Sequence, residues 1–148
     1  MGPYESEPTL VEWLAAQSRF TRVSVGLLAS AVIACYLPHL IVAATGKWIN
    51  NLTMWGVMAV YVLVLIVQNL TGVALRRRMA AAVVWAAIWL VYFTIHIVRT
   101  KFLKDWSQWW MVLFVPPTGS LLNGWLMEIY GRAVGLWEAP RRGTAAPL

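Results

Sequence analysis

The chain has 148 residues, of which 60 % are hydrophobic and 12 % charged, against roughly 25 % charged in an ordinary soluble domain. A mean hydropathy of +0.64 excludes a disordered chain, argues against a soluble globular one and points to a polytopic membrane protein. Twelve Lys and Arg against six Asp and Glu leave a net charge of +6. These cations sit between apolar runs, where they orient the chain and meet anionic headgroups, so no nucleic-acid partner is expected.

In chain order, the first expected element is a short interfacial helix over residues 9–20. Thr9 with Glu12 three residues later forms a capping-box pattern, and Leu10, Trp13 and Leu14 give the segment an apolar face. Glu5, Glu7 and Glu12 make this stretch acidic, unlike the basic start of a secretory signal. Four apolar segments follow, each near the ~20 residues that cross a bilayer as helix: 23–45, 54–75, 79–98 and 108–130. The predicted fold is all-α, a single integral membrane bundle of four transmembrane helices with short connections and a mobile tail over 138–148. Val32–Cys35 resembles a lipoprotein cleavage box, but a small Cys inside a helix is the simpler reading. The one cysteine excludes an internal disulfide.

Orientation follows from the basic residues. Arg19, Arg22, Arg76, Arg77, Arg78, Arg132, Arg141 and Arg142 fall on one side of a four-span layout. Lys47, Arg99, Lys101 and Lys104, partly offset by Asp105, fall on the other. That bias predicts both termini in the cytoplasm and residence in the plasma (inner) membrane.

Candidate site residues gather toward the non-cytoplasmic ends. His39 in the first span and His96 in the third differ in depth by only ~6 Å at helical rise. With Cys35 one turn before His39, they suggest a metal site or a b-type haem. The plainer reading is a pair of interfacial histidines with local hydrogen bonds. Trp85, Trp89, Tyr92, His96 and Arg99 recur at spacings of 4, 3, 4 and 3, which is one helix face. Such a stripe is more often core than a cofactor box. Opposite it, Ala82 and Ala86 form a small-xxx-small pair suited to close helix contact.

Pro116-Pro117-Thr118-Gly119 predicts a fourth span that kinks strongly or breaks, since each proline removes a donor and disfavours α geometry before it. Broken backbone at membrane depth is tolerated where it is buried or lines a cavity. With a second proline, Pro38, beside His39, this predicts a concave pocket involving His39, His96, Trp89, Tyr92, Pro116, Pro117 and Asn123. Trp48, Trp55, Trp106, Trp109 and Trp110 read mainly as an aromatic belt, with Trp106 and Trp109 as further pocket residues. Gln68 and Asn69 are placed to bond across helices to Asn123 or to backbone. The apolar part of the first three spans holds no carboxylate. The chain has no phosphate loop, no CxxC and no HExxH, so catalysis is not the expected role.

The favoured expectation is a non-catalytic membrane subunit or a protein binding lipid or another apolar ligand. Its expected partners are membrane lipids and a membrane protein or further copies of itself. The alternatives are a membrane enzyme or electron carrier using haem or metal at His39 and His96, and an oligomeric small transporter or channel.

Overall fold

A computed structural model describes residues 7–44, 52–100 and 106–137. It is all-helical, with no strand among the described residues. The helices are α1 (Leu10–Ala15), α2 (Arg19–Ala44), α3 (Leu52–Ala74), α4 (Arg78–Thr100) and α5 (Trp106–Ala133). Three of them contain stretches long and apolar enough to cross a membrane: Arg19–Ile41, Trp55–Ala74 and Arg78–Arg99. Their outward faces carry exposed Leu, Val and Ile side chains, such as Leu40, Ile41, Leu63, Val83 and Ile95. Such faces suit lipid, which makes the chain a small multi-pass membrane protein. At 28 residues α5 has the length to cross, but Thr118, Ser120, Asn123 and Glu128 dilute its apolar character. It packs most extensively on α4, then on α2, with a smaller contact to α3.

The N-terminal helix is shorter than residues 9–20. Its capping box is present: the Glu12 carboxylate accepts from the Thr9 N–H at 2.7 Å and the Thr9 hydroxyl from the Glu12 N–H at 3.3 Å. The chain then breaks, because Ser18 caps the next helix by accepting from the Thr21 N–H at 3.2 Å. Arg19 and Phe20 therefore belong to α2.

The expected break in the fourth span is absent, and α5 runs as α-helix through Pro116 and Pro117. The carbonyls of Val112 and Leu113 lose their helical donors, yet the φ that proline imposes is itself helical, and a neighbour braces the site. The Tyr61 hydroxyl donates to the Pro116 carbonyl at 2.5 Å. Gly119 admits this approach, since a Cβ there would collide with the Tyr61 hydroxyl and stand 3.1 Å from the Ala34 oxygen. That oxygen is the carbonyl that Pro38 strips of its helical donor, in a helix that also continues through its proline. The prolines thus mark close helix contact rather than chain breaks.

Cohesion comes from small residues and buried amides, because lipid tails offer no hydrophobic drive for helices to associate. Ala31, Ala34, Cys35, Met58, Tyr61 and Leu65 form one buried cluster between α2 and α3. On the other side, a Cβ on Gly124 of α5 would collide with that of Ala82 on α4. Between them, Asn69 and Asn123 form a reciprocal amide pair at 3.0 and 2.9 Å. Asn123 also donates to the Leu65 carbonyl at 3.1 Å, and Asn69 to the Ser30 hydroxyl at 2.9 Å. Gln68 donates to the Ser120 carbonyl at 2.7 Å. These bonds tie α2, α3 and α5 together at depth.

Two turns close the end of the bundle that carries Arg76. After α3, Arg76 adopts the left-handed conformation (φ 53°); Arg77 N–H bonds the Gly72 carbonyl at 3.1 Å and Arg76 N–H that of Val73 at 3.2 Å. After α5, Gly135 does the same (φ 68°), with Leu136 N–H on Gly131 at 2.8 Å and Gly135 N–H on Arg132 at 3.3 Å. Both are Schellman motifs.

Candidate functional site

Toward the end that carries His39, α3 and α4 separate over α5 and leave a cavity of about 1010 Å³. One wall is a stripe of α3, Val57, Val60, Tyr61 and Val64, at helical spacing. The facing wall is the aromatic stripe of α4, Trp85, Trp89, Tyr92 and Phe93. Met111, Val112, Val115 and Pro116 of α5 form the floor. The volume sits at the upper end of the ~300–1,000 Å³ of typical ligand sites, and like them the cavity is apolar with few polar groups.

The aromatic wall is internally packed. Trp89 meets Tyr61 edge-on with centroids 5.5 Å apart and stacks on Phe93 at 5.4 Å, with planes 20° apart. Tyr92 meets Phe93 edge-on at 5.2 Å. Two polar atoms stand out. The Trp89 indole N–H is buried and has no hydrogen-bond acceptor. His39, half-buried at the rim, has Nδ1 2.6 Å from the Cys35 carbonyl. A carbonyl only accepts, so Nδ1 carries a proton. The site therefore combines one buried, unpaired indole donor with an imidazole at its rim in an apolar trough. Among the described residues no nucleophile–base pair accompanies them.

Of the residues read from the sequence, His39, Trp89, Tyr92 and Pro116 line this cavity, whereas His96, Pro117, Asn123 and Cys35 do not. His96 lies on the same α4 face but one turn beyond Tyr92; it is exposed and stacks on the Tyr92 ring at 6.2 Å. Asn123 sits deeper, fully buried in the amide pair with Asn69. Cys35 is buried, with its sulfur 3.8 Å from the Met58 carbonyl. His39, His96 and Cys35 are thus not gathered as a ligand set, and no group of three or more His, Cys, Asp or Glu side chains suits a metal ion among the described residues. The side chains of Trp106 and Trp109 lie outside the described residues, as do Lys47, Trp48, Lys101, Lys104, Asp105 and the tail 138–148.

The α3 wall escaped sequence reasoning. Its signal was present, since positions 57, 60, 61 and 64 follow the i, i+3, i+4, i+7 rule. In a helix apolar on all sides, however, that stripe does not stand out. No family model, curated protein or solved structure matches this chain.

Proposed function

We propose that the protein is a non-catalytic, four-span protein of the inner membrane, with both termini cytoplasmic, that holds the apolar chain of a lipid or a similar amphiphile. The chain would lie in the trough between α3 and α4. The observation that carries this reading is the trough itself: about 1010 Å³ walled by Val, Ile, Met and aromatic side chains. Its isolated Trp89 indole donor suits a single acceptor on the ligand, such as an ester or carboxyl oxygen. A fourth crossing by α5 is supported by its 28-residue length and its extensive packing against α4 and α2. The orientation is supported by the Arg-rich end.

Gly56 provides the test. It lines the trough, and a Cβ added there meets nothing within 4 Å. Gly56→Trp should therefore fill the trough from one wall without displacing a neighbour, while replacing a poor helix former. Protein in phosphatidylcholine nanodiscs is photolabelled with a diazirine-bearing fatty acid, and the labelled residues are mapped by mass spectrometry. The expected result is labelling concentrated at Met58, Trp85 and Met111 and reduced severalfold by Gly56→Trp. Labelling spread evenly over Leu63, Val83 and Ile95, and indifferent to the substitution, would overturn the reading.

A further inference from the structure

At the opposite end of the bundle a second recess, of about 400 Å³, is lined by Arg19, Arg22, Val73, Arg76, Arg78, Gly135, Leu136 and Trp137. Four guanidinium groups thus converge from the start of α2, the turn after α3 and the start of α4. The turn after α5 closes the ring.

Only one of the four has a carboxylate partner among the described residues. Arg78 Nε lies 2.5 Å from Glu128, its guanidinium carbon stands 3.8 Å over the Trp137 ring, and Glu128 is shared with Arg132 at 3.0 Å. Arg22 donates through Nη1 to the Val134 carbonyl at 2.9 Å, but its Nε–H is buried without an acceptor. The Trp137 indole N–H is also buried without an acceptor among the described residues, but it packs against Gly131 of α5, where a Cβ would collide with it. Buried donors are nearly always paired, and an orphan costs free energy. The Arg22 Nε–H, beside three cations with no carboxylate partner among the described residues, marks a site suited to an acceptor of negative charge.

The backbone is arranged to the same end. The C-terminal carbonyls of α3 and α5, which would repel an anion, are occupied by the two Schellman turns and by Arg22. The N-termini of α2 and α4 contribute their positive dipole ends. Arg76 occupies a left-handed position that favours Gly or Asn. The turn itself gains nothing from an arginine there, whereas the recess gains a cation.

We propose that this recess binds a phosphate group, whether that of an anionic lipid headgroup or free phosphate. Arginine forks match phosphate oxygens in geometry and charge. The Arg22 Nε–H supplies the inner donor, while Arg19 and Arg76, both exposed, close over from outside.

The experiment uses the full chain. Inorganic phosphate is titrated in uncharged detergent, and native mass spectrometry counts lipids retained from nanodiscs of phosphatidylcholine with and without phosphatidic acid. Arg22 also ties down the turn after α5, so Arg22→Gln carries a folding risk. Arg76→Gly carries none, since it relieves the left-handed residue. Arg77→Gln is the charge-matched control from the same turn, outside the recess. Saturable binding should fall roughly tenfold or more, the scale of a charged hydrogen bond, in Arg76→Gly and Arg22→Gln and stay near parent in Arg77→Gln. Retention of phosphatidic acid without affinity for inorganic phosphate assigns the group to a lipid; the reverse assigns it to free phosphate. Binding of neither, or equal losses in Arg76→Gly and Arg77→Gln, would overturn the proposal by reducing the recess to diffuse surface charge.

Discussion

The amide pair between α3 and α5 makes the sharpest claim about what holds the bundle together. Asn123 is fully buried and takes part in three hydrogen bonds: the two of the reciprocal pair with Asn69, and one to the Leu65 carbonyl. Interhelical hydrogen bonds within membrane proteins average ~0.6 kcal/mol, with a maximum near 1.7. Asn123→Leu, which keeps the branched shape and removes all three, should therefore cost about 2 kcal/mol. The penalty includes an orphaned Asn69 oxygen at a site shielded from water. Replacing both partners removes that orphan, so Asn69→Leu/Asn123→Leu should be destabilised by less than the sum of the single variants, with a coupling of about 1 kcal/mol for the two shared bonds. The assay is reversible unfolding in mixed micelles of dodecyl sulfate and maltoside, followed by helical circular dichroism. A coupling below about 0.3 kcal/mol, or an Asn123→Leu protein as stable as the parent, would refute the claim that these amides, rather than apolar packing alone, set the contact.

Two further outcomes follow. Gly124→Leu should destabilise the bundle by about 1–3 kcal/mol through overpacking against Ala82, and Gly124→Ala by less; equal stability of all three proteins in the same assay would contradict the α4–α5 contact. Glu12 should make α1 pH-dependent: its carboxyl is held below the usual 4.5, first by the Thr9 backbone N–H and then by the Thr9 hydroxyl. A depressed carboxylate stabilises the helix above its unfolded pKa and loses that contribution as pH falls through the folded value. The carbon chemical shifts of Leu10–Ala15 should therefore lose helical character on acidification below pH 4.5, and Glu12→Gln should remove the transition. A transition of equal size in that variant would place its origin elsewhere.

The sequence made the helical class legible because a bilayer admits few alternatives: long apolar runs with little charge must be helical. The Ala82 contact and the bonding of Gln68 and Asn69 to α5 were equally readable. A small residue, or an amide deep in an apolar run, has little else to do than pack or pair. The course of α5 was not readable. Whether Pro116 and Pro117 break a helix depends on what stands beside them, and the Tyr61 hydroxyl comes from a residue 55 positions earlier. That His96 falls outside the cavity lined by His39 was hidden for a related reason. Spacing fixes a residue's height and its face, but not where the neighbouring helices stop covering that face. His96 shares a face with Trp89 and Tyr92 yet lies one turn past the cavity wall. The arginine recess was read only as a topology signal. Its members are spread from residue 19 to residue 137, and no local pattern links them.

The two ends of the bundle differ because they are assembled from different residues. From Tyr61 and Pro116 toward Arg76, small and amide-bearing residues meet across the helices beside the buried Leu65 and Met127: Ser30, Asn69, Ala82, Ser120, Asn123 and Gly124. Small residues let backbones approach, and amides then bond across the narrow gap. From the same level toward His39, α4 presents Trp89, Tyr92 and Phe93, bulky rings in place of small residues. Rings cannot interdigitate as small residues do, and in lipid no hydrophobic force closes the space they leave. The trough therefore opens where the residue type changes, with Tyr61 at the boundary, bonded across to Pro116 and edge-on to Trp89. An apolar chain lying there would replace lipid contacts with aromatic ones at little desolvation cost. Selectivity would then rest on the fit of its polar atom to the Trp89 indole rather than on apolar burial, which the surrounding bilayer supplies equally well.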